Sequence, residues 1–193
     1  MYIIYVYTDH PEGNLAQPTA CHAINLAEQF DHYYPAVYKY FRYRGADPDL
    51  ANDLAAGVFE RALTKLSSFD PRRGAFSTWL FAIARHAVIN HWKAQTYRKD
   101  VSIDCVSAQP NGESMPEEVV IQGQSVEALL LALCELNDRE REIVALKFGG
   151  SLNNRQIAGL LGLTAGNVGV VLYRALQKIR EKLSVAEGQV RDE

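Results

Sequence analysis

Residues 153–171 read NNRQIAGLLGLTAGNVGVV, a pattern few local folds accept. Ala158 is a small residue where two helices would have to cross closely. Gly162 follows four positions on, where a tight turn would need positive φ. Ile157, Leu161, Leu163, Val168 and Val171 fall in register to lock two short helices together. Asn153 with Gln156 three residues later forms a capping box that starts the first helix. These features predict a helix-turn-helix. A plain helical hairpin would explain the apolar spacing but would not need the small residue and the turn glycine at these positions.

The same devices recur upstream. Asn137 with Glu140 is a second capping box, followed by an apolar face of Ile143, Val144, Leu146 and Phe148 and a glycine stop at Gly149 and Gly150. Leu129, Leu130, Leu133 and Leu136 predict a helix before it. Nearer the N-terminus, Phe30, Tyr34, Val37 and Phe41 share one helix face, and Gly45 ends that helix. Asp47 caps the next helix and Pro48 takes its first position. Leu50, Leu54, Val58, Ala62 and Leu66 are expected as its buried stripe. A polar loop, SSFDPRRG, leads to a helix from Phe76 to about residue 94. The expected fold is all-α, two small helical domains joined by a flexible acidic linker.

Charge distribution supports that division. The net charge is −3, but residues 35–100 hold 11 basic and 6 acidic side chains, and residues 127–183 hold 8 and 6. The first 34 residues carry −4, and residues 101–126, rich in Pro, Gly and acids, also carry −4. Electrostatic fields reach only about 10 Å at cellular salt, so two locally basic blocks matter more than the total. The expected layout is an N-terminal extension over 1–24, a first domain over 25–95, a linker over 96–126, a second domain over 127–184 and a tail over 185–193. A short helix after Pro116 is allowed within the linker. The opening YIIYVY, strand-like in composition, has no second strand to pair with.

Other function classes find little support. No apolar run is long enough to span a bilayer, and the start lacks a basic flank for a secretion signal. Cys21, Cys105 and Cys134 are scattered with no CxxC, which suits a reducing cytoplasm. His86 and His91 are five apart, on different helix sides, so no metal site is expected. No cofactor and no nucleophile-base constellation is expected either.

Two longer stretches carry a more specific signal. DPDLANDLAAGVFERAL followed by FDPRRGAFSTWLFAIARHAVINHWK resembles region 2 of a bacterial sigma factor. LCELNDREREIVALKFGGSLNNRQIAGLLGLTAGNVGVVLYRALQKIREKL resembles region 4. Two regions, a short linker and little else is the layout of the extracytoplasmic-function group of the sigma-70 family. The resemblance implies a factor that binds core RNA polymerase through the β′ clamp helices and the β flap, directs it to promoter DNA and opens the minus-ten element. An anti-sigma factor is a candidate further partner. Two readings stand beside it: a helix-turn-helix regulator independent of core polymerase, and a sigma-like interaction protein.

The resemblance also assigns residues. Asp49, Asp53 and Glu60 form an acidic helix side suited to a basic partner, and Val58 and Phe59 belong to the same polymerase-binding segment. Without the resemblance, a solvated helix face would explain those acids equally well. The family often has Gln-Glu before the Val-Phe pair, and here Ala56 and Gly57 stand there. The minus-ten set is Arg72, Arg73, Phe76, Ile83, His86, Ile89, Asn90 and Lys93: a cationic loop, then a helix side able to stack or touch bases. Trp79 and Leu80 read as core. The minus-thirty-five set is Arg155, Thr164, Asn167, Val170, Tyr173 and Arg174. Gly169 and Val170 occupy positions where the family often carries a basic residue and a serine. Base readout there is expected to be thin, and the backbone is expected to approach DNA where Cβ is missing.

Overall fold

The computed structural model describes residues 26–98 and 117–189. The N-terminal extension, YIIYVY included, most of the linker and the end of the tail lie outside the described residues. Every regular element among the described residues is helical. They are α1 (Leu26–Tyr43), α2 (Pro48–Lys65), α3 (Phe76–Arg98), α4 (Glu117–Cys134), α5 (Asp138–Val144), α6 (Asn154–Leu161) and α7 (Ala165–Gln189). A 3₁₀ turn, Leu66–Ser68, follows α2, and a π-helical turn, Ala145–Gly149, follows α5. Helix α4 begins inside the segment expected to be linker.

Sequence chemistry sets the helix ends. Helix α1 closes in a Schellman arrangement: Ala46 N donates to Phe41 O at 3.1 Å and Gly45 N to Arg42 O at 3.1 Å. Gly45 makes this possible at φ +94. Asp47 then accepts from Leu50 N at 2.8 Å, with Pro48 at the first helical position. Both capping boxes form, Asn137 with Glu140 and Asn153 with Gln156. The end of α4 is closed by Arg141, which donates to the carbonyls of Leu133, Cys134 and Leu136 at 2.9, 2.7 and 2.9 Å. Three carbonyls at a helix end are thereby satisfied by one guanidinium.

The buried stripe of α2 is Ala51, Ala55, Val58, Phe59 and Ala62, continued by Leu66. Leu50 and Leu54 are only half-buried, so the stripe runs one residue beyond the one expected. The small alanines let α1 and α3 approach α2 closely, and Val37, Tyr40, Phe41, Leu80, Phe81 and Ala84 complete the core there. That core does not stop at region 2. It continues through Ile143, Leu146 and Leu152 to Ile157 and Val168 of the helix-turn-helix. A second cluster joins Leu133, Leu136 and Val144 to Ala175 and Ile179 of α7.

The two regions therefore share one core, with α1 packed on the π-helical turn. The contact requires a glycine. A Cβ on Gly149 would stand 2.8 Å from the Cα and N of Tyr40, backbone atoms that cannot swing aside. One on Gly150 would stand 2.9 Å from the ring of Phe81. Phe148, expected on the buried face, is instead 44% exposed. The π-helical turn closes with Gly150 N donating to Ala145 O at 2.9 Å, a five-residue span. That extra residue per turn rotates Phe148 outward and turns Gly149 toward α1.

Candidate nucleic-acid interface

The helix-turn-helix is built as its sequence requires. Gly162 sits at φ +66, ψ 36, and Leu163 N donates to Ala158 O at 2.9 Å across the turn. Ile157 and Val168 are fully buried between the helices, and Leu161, Leu163 and Val171 pack at the edge. Thr164 caps α7 by accepting from Asn167 N at 3.2 Å. Asn167, Val170, Tyr173 and Arg174 are all exposed on α7, and Arg155 is exposed on α6. Tyr173 is 64% exposed, and its hydroxyl accepts from Gln177 at 2.9 Å. Gly169 departs from the expectation. It is half-buried, and its missing Cβ would point to Asn154 of α6 at 3.8 Å, an ordinary contact. It therefore belongs to the helix crossing, and Gly166 is the exposed glycine of the pair.

In region 2 the loop before α3 is a Pro-initiated turn. Arg73 N donates to Asp70 O at 3.0 Å and Arg72 N to the Asp70 carboxylate at 2.9 Å. Asp70 thus fixes the backbone that presents Arg72 and Arg73, both exposed. Along α3, His86, Asn90 and Lys93 are exposed on one side, flanked by half-buried Ile83 and Ile89. Ile83 packs against the core.

Phe76 is half-buried. Its ring is held by Tyr33, Phe69 and Trp79 at centroid distances of 5.6, 5.5 and 5.4 Å. Behind the loop lies a cavity of about 230 Å³ lined by Phe69, Arg73, Thr78, Trp79 and Ala82, with Leu160 of α6 on its wall. Trp79, read from sequence as core, thus also faces a recess. Leu80 is fully buried, as read.

On α2, Asp49, Asp53 and Glu60 are exposed. Val58 and Phe59 are 0% and 4% exposed and belong to the core. The resemblance implies that both touch the polymerase, but here they are turned inward and hold α2 in place, while Asp49, Asp53 and Glu60 face outward.

A polar node that the sequence does not announce lies between the regions. Glu142 of α5 is buried, and its carboxylate accepts from Tyr40 Oη at 3.0 Å. Arg44 Nη2 stands 3.4 Å away and Arg85 Nε 3.6 Å, the latter beyond hydrogen-bond range. Arg44 also donates to Asp138 O at 3.1 Å. Burial, reinforced by Glu142, raises the Tyr40 phenol well above its ordinary value, so it remains a donor. Below this node Lys178 of α7 donates to both oxygens of Glu140 at 2.8 and 2.9 Å. Burial works against the Glu140 carboxylate, but Lys178 and the Asn137 amide outweigh it and hold the group below its usual range. Among the described residues no cluster of His, Cys, Asp and Glu could hold a metal, and no single helix is long and apolar enough to cross a membrane.

A helical pair of regions, one with a helix-turn-helix and the other with a cationic loop and polar helix side, presents two surfaces suited to nucleic acid. The sequence patterns of known families agree: Sigma-70 region 2 matches residues 29–98, and Sigma-70, region 4 matches residues 126–179. The ECF RNA polymerase sigma factor BldN of Streptomyces coelicolor is 32% identical over 154 residues, 80% of this chain; the match spans 58% of BldN. RNA polymerase sigma factor YlaC of Bacillus subtilis is 28% identical over 178 residues, 88% of this chain and 98% of its own. The fold is shared with the sigma factor RpoE solved with the anti-sigma factor NepR from Bartonella quintana. That likeness has TM-score 0.67 at 21% identity and covers 83% of this chain and 98% of RpoE. It is shared too with CnrH, solved with the cytosolic domain of CnrY, at TM-score 0.59 and 20% identity over 83% of this chain and 88% of CnrH. The chain belongs to the extracytoplasmic-function group of the sigma-70 family.

Proposed function

We propose that the chain is an alternative sigma factor of the cytoplasm that binds core RNA polymerase, directs it to a defined promoter class and opens the minus-ten element. The observation that carries this is the pairing, on region 2, of two exposed surfaces of opposite character. Asp49, Asp53 and Glu60 offer negative charge to a basic protein partner. Arg72, Arg73, His86, Asn90 and Lys93 offer positive and polar groups to a nucleic-acid strand. A protein that bound only duplex DNA through its helix-turn-helix would need neither.

Region 4 contributes the second contact through Arg155, Thr164, Asn167, Val170, Tyr173 and Arg174. One cation among the four named positions of α7 supports phosphate and shape contact over base readout. Specificity then rests chiefly on the minus-ten element, with the residues between the regions serving as linker. The β flap is the proposed partner of region 4 on the polymerase. An anti-sigma factor is a further proposed partner, as RpoE of the same fold is seen bound to one.

The test is transcription in vitro with core polymerase on a library of promoters. Core-dependent initiation from a subset is the expected result. Randomising the minus-ten element should abolish it, and randomising the minus-thirty-five element should reduce it less. Duplex binding without core polymerase, and no transcription with it, would overturn the reading.

A further inference from the structure

The arrangement of the two regions is incompatible with simultaneous use of both DNA-facing surfaces. The elements they are proposed to meet lie about 25 base pairs apart, roughly 85 Å of duplex at 3.4 Å per base pair. A compact chain of this length has a radius of gyration of only about 16 Å. Here Gln156 of α6 donates to Ser77 of α3 at 3.4 Å, so the two surfaces are adjacent. Leu160 of the helix-turn-helix also stands on the wall of the recess formed by Phe69, Arg73 and Trp79. The loop proposed to take an unpaired strand is therefore partly walled by region 4.

We propose that this is an autoinhibited state in which Glu142 acts as a latch between the regions, and that polymerase engages the chain only after the latch opens. The proposal rests on the sigma-factor reading above and adds its regulation. Three features make the contact a latch, not a casual touch. Glu142 is buried and gathers Tyr40 from α1, Arg44 from the turn after it and Arg85 from α3. Gly149 allows backbone-to-backbone approach that any Cβ would forbid. The seam around them is apolar, Val37, Phe81, Leu146 and Leu152 being buried together. Opening exposes that seam to water, so the closed form is favoured until a partner compensates. A partner that binds only the open form sees its affinity lowered by the fraction of open chain.

Two variants separate the latch from the rest of the fold. Glu142→Gln keeps the shape but removes the charge that holds both arginines. Gly149→Ala leaves Glu142 intact and wedges α1 from the π-helical turn. The full chain and each variant are titrated with core polymerase, and the free proteins are measured by small-angle scattering and circular dichroism. The expected result is a larger radius of gyration with helix content retained, and about tenfold tighter binding to core polymerase for each variant, as for a tenfold fall in the closed-to-open ratio. Variants that keep their helix content and bind core no tighter than the parent chain overturn the latch. If one variant loses helix content, the other decides. If neither the parent chain nor either opened variant binds core polymerase, the sigma-factor reading is overturned instead, while scattering of the variants still reports whether Glu142 and Gly149 hold the regions closed.

Discussion

Gly162 gives the sharpest quantitative test of the helix-turn-helix. Its backbone lies in the left-handed region at φ +66, ψ 36, and a Cβ built there meets nothing within 4 Å. Any cost of substitution thus comes from backbone conformation and not from collision. An L-residue forced into that region loses about 1–2 kcal/mol. Alanine recovers about 0.4–1 kcal/mol by restricting the unfolded chain, leaving a net loss near 1 kcal/mol. Asparagine visits the region more readily and should lose less. Valine, branched at Cβ, is an outlier there and should lose more than about 2 kcal/mol. The order Gly, Asn, Ala, Val is the signature, read from urea unfolding of the full chain by far-ultraviolet ellipticity and by tryptophan fluorescence. Both tryptophans, Trp79 and Trp92, lie on α3 in region 2. Because region 2 and the helix-turn-helix share a core, the two signals should move together. A shift of about 2–4 °C per kcal/mol should accompany the losses on heating. A flat series would refute the left-handed turn. Fluorescence that ignores the substitutions while ellipticity responds would refute the shared core.

Two further outcomes are expected. Asp53→Arg reverses a charge on an exposed position of α2, so affinity for core polymerase should fall about tenfold in a titration, while stability stays within about 0.5 kcal/mol. Glu140 has a folded-state pKa held below its unfolded value, so its contribution to stability is full above the unfolded value and is lost as pH falls through the folded one. Unfolding curves at descending pH should show this loss, and Glu140→Gln should flatten the acid limb; an unchanged acid limb would remove Glu140 from the account.

Local chemistry was largely legible in the sequence, because its causes lie within a few residues. Asp47 and Pro48 define a helix start, Asn137 and Asn153 find their Glu140 and Gln156 three residues on, and Gly45 and Gly162 both take positive φ. The exposed acids of α2 and the polar side of α3 followed from helical spacing alone. The misses have a common cause. The family segment puts Val58 and Phe59 on a partner surface, whereas their burial is decided by α1, in particular by Phe30 edge-on to Phe59 at 4.7 Å. Phe76 shares an aromatic box with Tyr33, more than forty positions earlier, a contact that local spacing does not announce.

The junction between the regions shows why long-range packing escapes a local reading. Apolar periodicity placed Phe148 inside and treated Gly149 as a helix stop, which is the usual meaning of a glycine after an amphipathic stretch. A single π-helical turn reverses both assignments: Phe148 faces water, and Gly149 becomes the point where α1 is admitted. Glu142 is equally silent in sequence, one acid among several on a short charged helix. Its meaning depends on Tyr40, 102 positions earlier, and on Arg44 and Arg85 arriving with it. A buried carboxylate with two arginines is a poor device for stability alone, since a well-packed apolar substitute would often serve as well. Such a group suits a contact that must be specific when closed and tolerate water when open. Glu142, Tyr40, Arg44 and Arg85 can all be solvated after separation, which lowers the cost of opening a seam whose remainder is apolar, so the chemistry of the node favours a contact made to be broken.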